Sequence, residues 1–340
     1  METRKVQRLG PSTLAMTLPA EWASEHDVEK GDEVSLRTGG KGTLTVLSES
    51  AAAEESEAVV DASGLDADAV ERALVAQYVL GRRVIRVEAS EALTSEHINA
   101  VYSAEEQLMG LGVIEETPDS IAIRCSVDPE DFTLDNLLER LENTGSTMRG
   151  EAIKALAHES PDLAERALNR ERQANKIFVL LLRLIFTAYQ NPTLARAVGL
   201  DDGFPLIGYR SIAKNLELTA DNAEDIAEIA LESDGLPVDG GTLRRIRELT
   251  DQVDGVTELA VAAAVDRDYD AYLEVREQFR ELGAFEREIL DDLPEMDNED
   301  LLEVREVLVS LQQTAQYAMR NAEIAANLSL NQESDHITID

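Results

Sequence analysis

The 21 residues RSIAKNLELTADNAEDIAEIA at 210–230 recur without a gap as REVLVSLQQTAQYAMRNAEIA at 305–325, with identity at 9 of 21 positions. The two starts lie 95 residues apart, about the length of one three-helix bundle. A helix written twice at that spacing restricts the C-terminal part of the chain to two tandem helical units. The copies differ in one respect that bears on chemistry. Glu217 and Asp221 of the first copy face Gln312 and Gln316 of the second.

The pattern around the repeat agrees with this reading. Apolar residues at helical spacing predict helices over 133–158, 161–190, 193–231 (interrupted near GLDDGFPLIGY), 240–265, 268–292 and 297–329. Ser160-Pro161 reads as an N-cap followed by proline in the first turn, and Pro192, Pro205, Pro237 and Pro294 fall between segments. The last ten residues, NQESDHITID, read as a frayed tail.

The N-terminal third has a different period. TLAMTLP, DEVSLRT and GTLTVLS alternate apolar and polar residues, punctuated by Gly10-Pro11, Gly31-Asp32 and Gly39-Gly40, and a short helix is expected around AEWASEH. Residues 1–47 are too few to close a core alone, which predicts dimerisation. SESAAAEESE, 48–57, has linker composition. From 58 the order strand, helix, strand, helix, strand, strand predicts a small α/β module whose last two strands form a hairpin.

Charge separates these parts. The net charge is −37, yet residues 1–47 carry six basic against seven acidic side chains. Only six of the 31 basic residues are lysine. Such an acidic, lysine-poor composition is similar to that of extreme halophiles, where a dense carboxylate surface holds water in concentrated salt. A single cysteine, Cys125, excludes an internal disulfide and a cysteine-based zinc site. The longest apolar run, IFVLLLRLIFTA, is too short to span a bilayer and contains Arg183. The start METRKVQ shows no secretory apolar core, so a soluble, cytoplasmic protein without membrane insertion is expected.

Two constellations point to chemistry. On the helix 210–230, Glu217, Asp221, Glu224 and Glu228 form a stripe beside the core face, with Glu217 and Asp221 one turn apart. Paired carboxylates suit a hard divalent cation or iron, and a chain this acidic also produces such pairs on solvated faces. Glu171 interrupts the apolar stripe Ala167, Ala174, Phe178, Leu181, Ile185, and Asn175 follows one turn later. It reads as a further ligand or as the partner of an arginine such as Arg210. No helix carries Glu-x-x-His, and no phosphate loop or nucleophile motif is present, so a catalytic site is not expected. The second constellation is Arg4, Lys5 and Arg8, which a dimer would double into one basic face. They serve equally well as charges that blunt a strand edge.

Residues 1–47 resemble the SpoVT/AbrB-like, or swapped-hairpin, family through Arg4, Lys5, Arg8, Gly10, Ser12, Leu18-Pro19 and Gly31-Asp32. That resemblance implies an intertwined dimer that binds DNA through N-terminal basic residues. The acidic Glu21, Glu25, Asp27 and Glu29 confine such contact to Arg4, Lys5 and Arg8. Residues 131–330 resemble PhoU, the phosphate-transport regulator family, through the repeat and through Glu217-x-x-x-Asp221 and Glu171-x-x-x-Asn175. This implies two tandem three-helix bundles with a cation site at those four residues. In the second repeat Glu277 and Glu281 are acidic candidates without a fixed register. The fusion resembles archaeal phosphate-uptake regulators.

The expected architecture is multidomain and mainly α. It comprises a swapped-hairpin β domain (1–50), a small α/β module (57–128) and two three-helix bundles (131–232 and 238–330). The expected function is phosphate homeostasis, with promoter DNA and a phosphate ABC transporter or signalling protein as partners. In the alternative, the chain is a signalling adaptor whose N-terminal domain only dimerises.

Overall fold

The computed structural model describes residues 3–38, 44–48, 57–200, 206–233 and 235–330, and two compact units divide after Ser56. The Gly39-Gly40 turn, most of the linker 48–57, part of the break near 201–205 and the tail 331–340 lie outside the described residues.

The first unit contains two antiparallel hairpins. Strands β1 (Gln7–Arg8) and β2 (Leu14–Ala15) form one, and β3 (Val34–Thr38) and β4 (Leu44–Ser48) the other. Between them lies a short helix α1 (Ala20–Glu25), which starts after Pro19. Gly31, at φ +114°, makes the turn into β3. None of its described residues is buried, and Leu9, Leu14 and Leu36 are 72%, 64% and 64% exposed. The described residues of one copy therefore form no core of their own.

The second unit begins with the α/β module. Strand β5 (Glu57–Asp61), helix α2 (Ala67–Val79), strand β6 (Val84–Glu88), helix α3 (Ser95–Gln107), and strands β7 (Leu111–Glu116) and β8 (Ser120–Cys125) follow in order. The sheet order is β5-β6-β8-β7. β5 and β6 are parallel through α2, and the remaining pairs are antiparallel. Asp66 and Thr94 cap the two helices through their side chains. Val70, Leu74 and Tyr78 of α2 bury against Ile85, Val87, Ile121 and Ile123 of the sheet. Cys125 is buried in the same core.

Seven further helices follow: α4 (Leu134–His158), α5 (Pro161–Gln190), the short α6 (Pro192–Ala197), α7 (Leu206–Glu232), α8 (Gly240–Asp266), α9 (Tyr269–Asp291) and α10 (Asn298–Ser329). The expected interruption of 193–231 separates α6 from α7. Thr133, Asp239, Asp268 and Asp297 supply side-chain caps. Ser160 occupies an N-cap position but its hydroxyl makes no capping bond, so Pro161 alone marks that start. Helices α4, α5 and α7 pack as one three-helix bundle and α8, α9 and α10 as another. The first helix of each ends in a left-handed residue that is not glycine, Glu159 and Arg267.

The two copies of the repeated helix meet each other. Asn222 Nδ2 of α7 donates to Thr314 Oγ1 of α10 at 3.2 Å, and Asn215 Nδ2 donates to Asn321 Oδ1 at 2.7 Å. These pairs run antiparallel. Gly208 makes room for the side chains of α10, since a Cβ there would come 3.0 Å from Ile324 Cγ2. Shared positions Leu216/Leu311, Thr219/Thr314, Ala220/Ala315 and Ala223/Ala318 are buried in both copies.

The α/β module is fastened to the first bundle by Arg183 of α5. Its guanidinium donates to the carbonyls of Tyr78, Arg82 at 3.1 Å and Gly81 at 3.2 Å, which close the end of α2. Gly81 adopts φ +88°, and a Cβ there would lie 2.9 Å from Thr187 Cγ2. Among the described residues, no helix is long and apolar enough to cross a membrane.

Candidate functional site

The carboxylates singled out on α5 and α7 face one another across the first bundle. Glu217, Asp221 and Glu224 follow at intervals of four and three residues on α7, beside its buried stripe of Leu216, Ala220 and Ala223. All three are half-buried, as is Glu171 of α5. Burial pushes the Asp221 carboxyl up to about 6, reinforced by repulsion from Glu217 and Glu171 and opposed by Lys214. Burial likewise raises Glu224 to about 7, with Glu171, Glu228 and Asp221 adding repulsion. Glu171 is raised by burial and by Glu217, and its hydrogen bond from Asn175 opposes the shift.

Two features of this cleft were not anticipated. Glu224 belongs to it as fully as Asp221, although only Glu217 and Asp221 were paired from the sequence. Lys214 reaches forward one turn to pair with Glu217 and lies 5.6 Å from the Phe178 ring centroid. Glu171 pairs with Asn175 rather than with Arg210.

Among the described residues, no three His, Cys, Asp or Glu side chains converge closely enough to hold a metal ion as they stand. The donor chemistry nevertheless suits a hard cation, because carboxylate oxygens are hard donors and these are half-desolvated. Repulsion among Glu171, Glu217, Asp221 and Glu224 is what a divalent ion would relieve. Lys214 engages the Glu217 oxygen that such an ion would need.

The second repeat does not reproduce this arrangement. Gln312 and Gln316 are exposed on α10, and Glu277 of α9 pairs with Arg280 at 2.7 Å. The N-terminal basic residues stand apart from either bundle in sequence. Arg4, Lys5 and Arg8 are exposed, and Arg8 Nη1 donates to the Pro11 carbonyl at 3.3 Å.

A third charged group was missed altogether. Arg149 of α4 is fully buried and pairs with Asp254 of α8. Beside it Glu142, 5% exposed, is pushed up to about 7 by burial, against the pull of Arg149. The signal was available, because Arg149 interrupts the apolar stripe of Leu138, Leu141, Met148 and Ala152 as Glu171 interrupts that of α5.

Residues 138–230 match the sequence model of the PhoU domain. The matched stretch begins inside α4 and ends in α7, so it contains Glu171, Glu217, Asp221 and Glu224. Residues 7–52 match the model described as antidote-toxin recognition MazE, bacterial antitoxin, in the segment read as a swapped hairpin. Two solved structures resemble the chain. PhoU from Pseudomonas aeruginosa is 16% identical, with a TM-score of 0.48, over 58% of this chain and 96% of that one. The phosphate transport system regulatory protein PhoU from Streptococcus pneumoniae is 14% identical, with a TM-score of 0.49, over 59% and 96%. No curated protein matches the chain.

Proposed function

We propose that this protein is a dimeric regulator of phosphate uptake. In this reading the PhoU-like bundles carry phosphate status and the N-terminal hairpins carry it to promoter DNA. The observation that carries the reading is the gathering of Glu171, Glu217, Asp221 and Glu224 inside the stretch that matches the PhoU domain. Glu171, Asn175, Glu217 and Asp221, joined by Glu224, would hold a divalent cation or iron, which would neutralise the cleft and clamp α5 to α7. Lys214 serves as the internal counter-charge when no cation is bound.

Dimerisation through the first unit is supported by the exposure of Leu9, Leu14 and Leu36, on or beside strands whose described residues bury nothing. Arg4, Lys5 and Arg8 would then form one doubled basic face toward phosphates. The acidic surface supports a cytoplasm of concentrated salt.

A second reading is favoured by α1, whose Glu21 and Glu25 repel a DNA backbone. In that reading the hairpins only dimerise and the bundles act on a phosphate ABC transporter or a signalling protein. Transcript profiling of a deletion strain in high and low phosphate tests the regulatory reading, with phosphate-uptake genes expected to lose their response. An unchanged response would refute it. Chromatin occupancy in near-native salt then separates the two readings, since the adaptor leaves no enriched promoter sites.

A further inference from the structure

The second bundle carries an open groove where the first carries its carboxylates. It runs between α9 and α10 with a volume of about 620 Å³, and Gln312, the repeat partner of Glu217, lines it. Its floor is apolar, formed by Leu249, Val253, Leu282, Leu308 and Leu311. The α9 wall extends from Phe279 to Leu290, about three helical turns or ~16 Å.

Gly283 lies at the middle of that wall. A Cβ there would meet nothing within 4 Å. Gly145 and Gly208 are accounted for by helices of this chain pressing on them, Thr219 at 3.5 Å and Ile324 at 3.0 Å. Gly283 has no such neighbour, yet a mid-helix glycine is less favourable than alanine. Gly150 and Gly255 are also open, but neither borders this apolar floor.

The charge reverses locally. Arg280, Arg287 and Arg305 border the groove against one carboxylate, Glu286, in a chain of net charge −37. Glu299, Asp300, Glu303 and Glu306 of α10 all fall outside the lining. Arg305 makes no ion pair among the described residues, whereas Arg280 is held by Glu277.

We propose that this groove docks an acidic amphipathic helix of a partner protein. The apolar face of that helix lies on the leucine floor, its backbone passes close over Gly283, and its flanking carboxylates meet Arg287 and Arg305. The bundle then becomes a four-helix packing. A second copy of this chain is disfavoured as occupant, because an isologous contact would set the same arginines against each other. The inference does not depend on the cation reading of the first bundle.

The test uses the full chain and three 18-residue synthetic helices with one leucine face and Glu, Gln or Lys flanks, followed by fluorescence anisotropy. The Glu-flanked helix should bind at least tenfold more tightly than the Lys-flanked one. Gly283→Leu should weaken it at least tenfold without lowering the thermal midpoint, while Gly255→Leu leaves it unchanged. Arg287→Gln with Arg305→Gln should erase the preference for Glu flanks, and this pair decides the matter if Gly283→Leu folds poorly. Equal affinity for the Glu and Lys helices, binding undiminished in both groove variants, or a self-association lost on Gly283→Leu would each overturn the proposal.

Discussion

Asp254 of α8 accepts a hydrogen bond at 2.8 Å from Nε of Arg149 on α4, and a second from Nη2 of the same buried guanidinium. Arg149 also donates Nη1 to the Thr219 carbonyl of α7 at 3.4 Å. One side chain thus links both bundles. Removing a single partner leaves a charge buried without compensation, whereas replacing both by apolar groups does not. Asp254→Ala should therefore cost about 3 kcal/mol. The double variant Arg149→Met with Asp254→Leu should recover most of that loss in urea unfolding.

Glu142, Asp221 and Glu224 make stability fall as pH rises. Their ordinary values are 4.5, 3.8 and 4.5, and in the folded protein they stand at about 7, 6 and 7. Between these limits the folded state binds more protons than the unfolded state, so the stabilisation is complete below about pH 4 and is lost by about pH 7. Glu142 alone contributes about 3 kcal/mol, and solvent screening keeps the added share of Asp221 and Glu224 smaller. Thermal midpoints measured in chelator from pH 4.5 to 8 should decline. Glu142→Gln, which leaves Arg149, Asp254 and Glu258 in place, should flatten the slope and raise the midpoint at pH 8.

A divalent cation should reverse that decline. With Mg²⁺ or Mn²⁺ added at pH 7.5, the midpoint should rise in the parent chain and stay fixed in Glu217→Gln and Asp221→Asn. Lys214→Met frees Glu217 from its internal counter-charge, so it should tighten cation binding about tenfold, or ~1.4 kcal/mol, by titration calorimetry. No change on Lys214→Met would show that the lysine does not compete for the site.

The exposed leucines of the first unit should decide the oligomeric state. Leu9→Glu with Leu14→Glu should shift sedimentation from dimer to monomer and leave the far-ultraviolet helical signal intact, because the helical bundles lie in the second unit. Arg4→Ala, Lys5→Ala and Arg8→Ala together should leave the dimer unchanged and remove any salt-sensitive DNA binding.

Much of the fold was legible because helical periodicity and caps are local. The boundaries of α4, α5, α8, α9 and α10 follow from Thr133, Pro161, Asp239, Asp268 and Asp297, each of which acts within its own first turn. The carboxylate cleft was legible in part, since Glu171 and Glu217 break or border an apolar stripe. Lys214 was not read into it, because pairing one turn along α7 depends on which carboxylate is desolvated. Arg149 and Asp254 lie 105 residues apart, and no local pattern links them. Arg183 was read only as a charge unsuited to a membrane span. Its partners, the carbonyls at the end of α2, carry no side-chain signature.

The antiparallel seam of α7 on α10 has a consequence for how such a molecule can diverge. When two identical subunits meet across a twofold axis, every substitution falls on both faces at once, and neither face can specialise without the other. Here both faces belong to one chain, and the buried matches Thr219/Thr314 and Ala223/Ala318 keep the seam while the outer positions are released from that bond. Glu217 and Gln312 are the record of that release, one half retaining its carboxylate and the other opening a groove.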